Sequence, residues 1–220
     1  MTKQNSMANL RHFFWDFDGT LFDTYPLVIK DLRLSLQEYG FDCDSTDAMR
    51  RMLDAIRTTR NYYADCFGID REALHASYNN HRRIEFQNLA AKPFPGVEAV
   101  LKQICAMNGQ NYIFTHSKAV NILAYLKKYG LDSYFTDVLG EESPGFVSKP
   151  APDSLIYLMD KYGIDPAQAV MIGDRERDLG SGRSAGMRIV HYVCATIPEE
   201  LSCDWRFESF SEMLALLQER

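Results

Sequence analysis

FFWDFDGTLFDTYP, residues 13–26, carries an aromatic run into two aspartates, Asp16 and Asp18, one residue apart, and then turns at once into Gly19 and Thr20. A short run that is apolar on both faces and closed by glycine reads as a strand of a parallel sheet covered by helices. Residues i and i+2 of a strand face the same way, so the two carboxylates project together where the strand ends. In an open parallel sheet that carboxyl edge is where ligands bind. Two carboxylates at close range repel each other and are costly to desolvate, unless a cation is present or one of them takes a proton. Taken alone, the stretch also reads as a pair of turn-forming aspartates ahead of Gly19.

The totals narrow the class. A chain of 220 residues can bury a good core, and 46% hydrophobic with 25% charged residues is the make-up of a globular protein rather than a disordered one. A formal net charge of −6 argues against a nucleic-acid partner, whose phosphates call for clustered Lys and Arg. A small anionic substrate stays open, because local charge sets the potential of a pocket. The five cysteines, Cys43, Cys66, Cys105, Cys194 and Cys203, include no CxxC pair, and we expect buried free thiols in a reducing compartment. MTKQNSMANLRHFFW lacks the apolar core of a signal peptide, and no stretch approaches the ~20 apolar residues of a membrane span. The expectation is a cytoplasmic protein with no membrane association.

Along the chain, the texture changes at Asp23. Leu27, Val28, Leu32, Leu36 and Tyr39 recur at helical spacing, with Pro26 near the start and Gly40 as the stop. Met49, Met52, Leu53 and Ile56 predict a second helix, Tyr62 to Phe67 a third, and residues 70–91 a long fourth. KPFPG at 92–96 then reads as a linker. Beyond it, short apolar strands (NYIFT, FTDVL, AVMIG, RIVHYV) alternate with helices. That alternation predicts a doubly wound parallel α/β sheet. The expected organisation is a discontinuous α/β core, residues 1–22 and 93–220, with an all-helical cap domain, 23–92, inserted behind the first strand.

Other strand ends also stop in polar groups. YIFTHS brings Thr115 to the tip of a second strand, as an anion ligand or merely as a helix cap. VSKPAPD sets Lys149 ahead of two prolines that fix the backbone, either to hold an ammonium in place or as an ordinary surface lysine. VMIGDRERD ends a third strand in Gly173 and Asp174, with Asp178 four residues on. Acids at such a tip suit Mg²⁺, which takes one or two carboxylates with water and phosphate oxygens, and they also suit an acidic turn before a helix.

DFDGTLFDT, the strand ending in Thr115, KPAPD and GDRERD together resemble motifs one to four of the haloacid dehalogenase superfamily, in the phosphatase branch with a helical cap. The match is spread from Phe13 to about Gly186, and PFPGV fits the phosphoglycolate phosphatase-like and beta-phosphoglucomutase-like members. The resemblance implies a phosphatase for a small phosphorylated metabolite, with Asp16 as nucleophile and Asp18 as general acid and then base. It implies that Thr115 and Lys149 hold the phosphoryl oxygens, with His116 beside them. It implies Mg²⁺ on Asp174, Asp16 and the backbone carbonyl of Asp18, supported by Asp178. THS at 115–117 departs from the family pattern, in which Asn or a small residue more often follows the Thr or Ser. A cap of this kind would close over the site, with hinges near Phe22 to Tyr25 and Lys92 to Pro95. Arg57 and Arg60, with His81, Arg82 and Arg83, are candidates for gripping a second anionic group, though a solvated helix face is the more ordinary reading of each. The alternatives are a phosphomutase of the same fold and a catalytically silent binding or regulatory protein. A monomer or weak homodimer is expected.

Overall fold

In the computed structural model, residues 7–52, 56–195 and 200–218 are described. The elements run β1 (His12–Trp15), β2 (Phe22–Asp23), α1 (Tyr25–Gln37), α2 (Ser45–Met52), α3 (Ile56–Phe67), α4 (Arg71–Asn88) and β3 (Lys92–Pro93). They then alternate as α5 (Val97–Ala106), β4 (Gln110–Phe114), α6 (Ala119–Lys128), β5 (Phe135–Leu139), α7 (Asp153–Tyr162), β6 (Ala169–Gly173), α8 (Glu176–Ser184), β7 (Arg188–Tyr192), β8 (Trp205–Phe207) and α9 (Phe210–Gln218). Two compact units result, Met1–Phe22 with Pro93–Arg220, and Asp23–Lys92.

The first unit is built on a six-stranded sheet of order β5-β4-β1-β6-β7-β8. Every neighbouring pair is parallel. The chain leaves β1 towards β4 and β5 on one side and returns to β6, β7 and β8 on the other, so β1 sits at the topological switch point where such sheets bind ligands. Trp15 pairs with both Ile113 and Ile172, which brings the residues after β1, β4 and β6 to one edge. The Asp16 N–H donates to the Ile172 carbonyl at 2.9 Å and extends that pairing by one residue.

Alternation along β1 feeds two cores. Phe14 stacks on Tyr112 at 4.7 Å and joins Met171, Leu155, Leu158, Met159 and Leu179, which belong to β6, α7 and α8. On the other face Trp15 stacks on Phe210 of α9 at 6.1 Å, and Phe13 closes with Ile104 of α5 around Gly109. Helices therefore cover both faces, which is why β1 has no polar side, and each large side chain so buried stabilises the fold by roughly 1.5–3 kcal/mol. Two features depart from the sequence reading. Trp205–Phe207 forms a sixth strand, too short to carry a period of its own, and KPFPG contributes Lys92–Pro93 to a two-stranded ribbon with Phe22–Asp23 rather than a plain linker.

The second unit is helical. Pro26 lies in the first turn of α1, Gly40 follows that helix at φ +80°, and Asp70 caps α4 by accepting the Ala73 N–H at 2.9 Å. Arg82 of α4 meets the buried Asp31 of α1 at 3.2 Å. The helix expected from Met49 to Ile56 is divided, with Met49 and Met52 in α2 and Ile56 opening α3, and Leu53 lies outside the described residues. All five cysteines are free, but only Cys43 and Cys194 are buried, while Cys66 and Cys105 are exposed. Among the described residues no helix is long and apolar enough to cross a membrane.

Candidate active site

Three chain segments meet at the carboxyl edge of the sheet. Asp16 follows β1, Asp174 follows β6, Asp178 stands in the first turn of α8, and Lys149 comes from the loop between β5 and α7. The Lys149 ammonium donates to Asp16 Oδ1 at 2.5 Å and to Asp178 Oδ1 at 2.8 Å, and lies 4.8 Å from the centre of the Phe114 ring. All four charged side chains are buried, Asp174 to 1% exposure.

The acids are held by local geometry. Asp178 accepts the Arg175 N–H at 3.1 Å, which is half of the capping arrangement that starts α8 at Glu176. Asp174 accepts from the Thr20 hydroxyl at 3.2 Å, and the Arg175 guanidinium stands 3.9 Å away. Gly173 is required here, because a Cβ on it would run into the Asp178 side chain. Asp18, half-buried, accepts a hydrogen bond from the Ser117 hydroxyl at 3.0 Å.

Burial, with Asp178 and Asp18 close by, pushes the Asp16 carboxyl up to about 7, although the Lys149 ammonium pulls it down. Burial alone would lower Lys149, but Asp16 and Asp178 outweigh it and hold the ammonium above its ordinary value. For Asp178 burial works upward, yet Lys149 and then Arg177 leave it below the usual carboxylate range. Asp16, Asp174 and Asp178 each offer a carboxylate oxygen, and these oxygens lie within 4.8 Å of one another. Three buried acids against the buried Lys149 and Arg175 still leave negative charge in excess, and a hard divalent cation with oxygen ligands suits that donor set.

The remaining sequence candidates fall differently. Thr115 lies at the tip of β4, fully buried, its N–H donating to the Leu139 carbonyl and its hydroxyl accepting the Ser117 N–H at 3.1 Å; that bond closes a turn and does not cap α6, whose N-cap is Lys118. The His116 ring accepts the backbone N–H of Lys149 through Nε2 at 3.0 Å. Burial, then Lys149 and Arg177, pull its pKa down to about 4, so it is a neutral imidazole. Within the helical unit, Arg60 is buried against the Tyr78 ring at 4.4 Å rather than solvated, His81 pairs with Glu38 at 2.8 Å, and Arg83 donates to Asn80 at 2.9 Å. Arg57 belongs to α3, but its side chain is outside the described residues. Thr20 and Ser117 were missed. Thr20 stands inside the quoted DGT turn and could have been found there, whereas nothing in the spacing marks Ser117 as a partner of Asp18.

A family model described as haloacid dehalogenase-like hydrolase matches residues 13–192. A phosphoglycolate phosphatase from Pasteurella multocida is 28% identical over 233 aligned residues, covering 96% of this chain and 100% of that protein. Another from Haemophilus influenzae is 29% identical over 128 residues, which span 56% of this chain and 57% of that one. The crystal structure of a predicted phosphoglycolate phosphatase from Haemophilus somnus superposes with a TM-score of 0.82 at 20% identity, over 94% of this chain and 98% of that one, a likeness of fold.

Proposed function

The chain belongs to the haloacid dehalogenase-like hydrolases, and we propose that within that family it is a Mg²⁺-dependent phosphatase that hydrolyses a small phosphate monoester through a phosphorylated Asp16. The observation that carries this reading is the convergence of Asp16, Lys149, Asp174 and Asp178 in one buried cluster at the carboxyl edge of the sheet. The names of the relatives make phosphoglycolate the first substrate to try. Free thiols support a reducing, cytoplasmic setting.

Asp16 is the nucleophile: a carboxylate oxygen attacks phosphorus, the bond to the leaving oxygen breaks, and Asp18 protonates that oxygen. Asp18 then takes a proton from water, whose oxygen attacks the same phosphorus, releasing inorganic phosphate and restoring the Asp16 carboxylate. The Ser117 hydroxyl holds Asp18 in orientation for both transfers. Lys149, with Thr115 at the neighbouring strand tip, binds the phosphoryl oxygens and offsets their charge, a contribution that grows in a buried site. Asp16, Asp174 and the Asp18 carbonyl would hold Mg²⁺, with Asp178 in support, and the ion would supply charge that keeps Asp16 ionised and neutralises phosphoryl oxygens.

Purified protein is expected to release phosphate from p-nitrophenyl phosphate and phosphoglycolate in MgCl₂, to stop in EDTA, and to lose turnover on Asp16→Asn. Near-wild-type turnover by Asp16→Asn would remove Asp16 from the nucleophile role. Isomerised sugar phosphate with little free phosphate would instead favour a mutase.

A further inference from the structure

Lys149 must reach into a buried site from a loop, and most of the hydrogen bonds that fasten the loop are made by residues before the lysine, Ser154 among their partners. The Val147 N–H donates to the Ser154 hydroxyl at 2.7 Å, Ala151 closes a turn onto the Ser148 carbonyl at 3.1 Å, and the Lys149 N–H donates to His116 Nε2 at 3.0 Å. Ser154 fixes the loop two residues upstream of Lys149. Only the His116 contact acts on Lys149 itself among these three.

The direction of that bond determines the chemistry of the ring. A backbone N–H can only donate, so Nε2 must offer its lone pair and the ring proton must sit on Nδ1. The ring is also set edge-on to Phe146, at 5.9 Å between centroids and 77° between planes, which limits its rotation. Burial and the neighbouring cations Lys149 and Arg177 keep it neutral.

From this geometry, and resting on the phosphatase reading above, we propose that His116 is a positioning residue: as the neutral Nδ1–H tautomer it accepts the Lys149 amide and so aims the Lys149 ammonium at the phosphoryl site. It does not bind the substrate phosphate through Nε2, which is already taken. Glutamine preserves this function, because its Oε1 lies as many bonds from Cβ as Nε2 does. Asparagine ends one atom short, and leucine has no acceptor.

The tautomer is read directly by long-range ¹H–¹⁵N correlation spectra of the full-length ¹⁵N-labelled protein at pH 7.5. The expected pattern is a neutral ring protonated on Nδ1, with slowed exchange of the Lys149 amide that His116→Leu loses and His116→Gln keeps. In turnover of p-nitrophenyl phosphate, His116→Leu and His116→Asn should lower kcat on the order of 10- to 100-fold, the cost of misplacing a catalytic group by about 1 Å. KM should stay within about threefold, since charge on the phosphoryl oxygens is met most strongly in the transition state, and His116→Gln should recover most of kcat. An imidazolium, a proton on Nε2, or a Lys149 amide equally protected in His116→Leu would overturn the proposal. If His116→Leu fails to fold, the wild-type tautomer and the glutamine and asparagine variants decide the matter. Absence of phosphatase activity in the wild type would refute the parent reading, while the spectra would still test the contact.

Discussion

Replacing Lys149 with Met tests the charge balance of the site. Methionine retains most of the length of the side chain and its contact with the Phe114 ring, but it removes the one ammonium that bonds both Asp16 and Asp178. Its side chain is 1% exposed, so water cannot replace the lost charge without opening the site. Removing one member of a buried ion pair costs about 3–5 kcal/mol, chiefly because the partner is left buried and uncompensated. Here two acids are left, which places the expected loss at the upper end of that range in metal-free buffer. Both tryptophans, Trp15 and Trp205, lie on strands of the sheet unit, so their fluorescence in urea reports its unfolding directly. At a slope of roughly 2–3 kcal/mol per molar urea, the midpoint should drop by about 1.5–2.5 M. Adding Asp16→Asn to the Lys149→Met protein should recover part of the loss, because it removes one of the stranded charges, and Mg²⁺ should stabilise the single variant more than the wild type. A Lys149→Met protein as stable as wild type without metal would refute the argument that excess buried carboxylate charge dominates this site.

Two further outcomes follow from neighbouring contacts. Thr20→Val deletes the hydroxyl that bonds Asp174 and should weaken Mg²⁺ binding, read by calorimetry, on the order of 10-fold with little change in the urea midpoint; unchanged affinity would make Thr20 a turn residue only. In the helical unit, Glu85 is 4% exposed with no hydrogen-bond partner at Oε1 among the described residues. Burial raises the Asp31 carboxyl despite Arg82, and Glu85 adds to the rise. Glu85→Gln removes a buried charge beside Asp31 and should stabilise the unit at pH 7 by about 0.5–2 kcal/mol, followed by circular dichroism. A destabilised Glu85→Gln would show that the carboxylate has a partner worth more than its desolvation.

What was legible in the sequence depended on whether a residue's placement is set by local period or by tertiary contact. Phe13 to Trp15 have no polar face, and a run of that kind is stable only between two helical layers, so the doubly wound sheet and the position of its first strand could be read from four or five letters. FTDVL and AVMIG fall where the alternation of short strands put them, AVMIG as an uninterrupted apolar run. Trp205–Phe207 could not be read that way: three residues hold no period, and the strand exists because β7 offers an edge beside it. The same distinction runs through the site. Asp16 and Asp18 are visible because two acids one residue apart follow directly on an apolar strand, and Asp174 and Asp178 because they flank the start of α8. Thr20 and Ser117 become partners only when strand tips about 100 or more residues apart in sequence meet, as in Ser117 with Asp18. His116 shows the limit most clearly, since its position next to Thr115 suggests an anion ligand while its hydrogen bond makes it an acceptor for a backbone donor. A donor list read from sequence cannot tell these apart, because the tautomer of a histidine is assigned by whatever its other nitrogen faces.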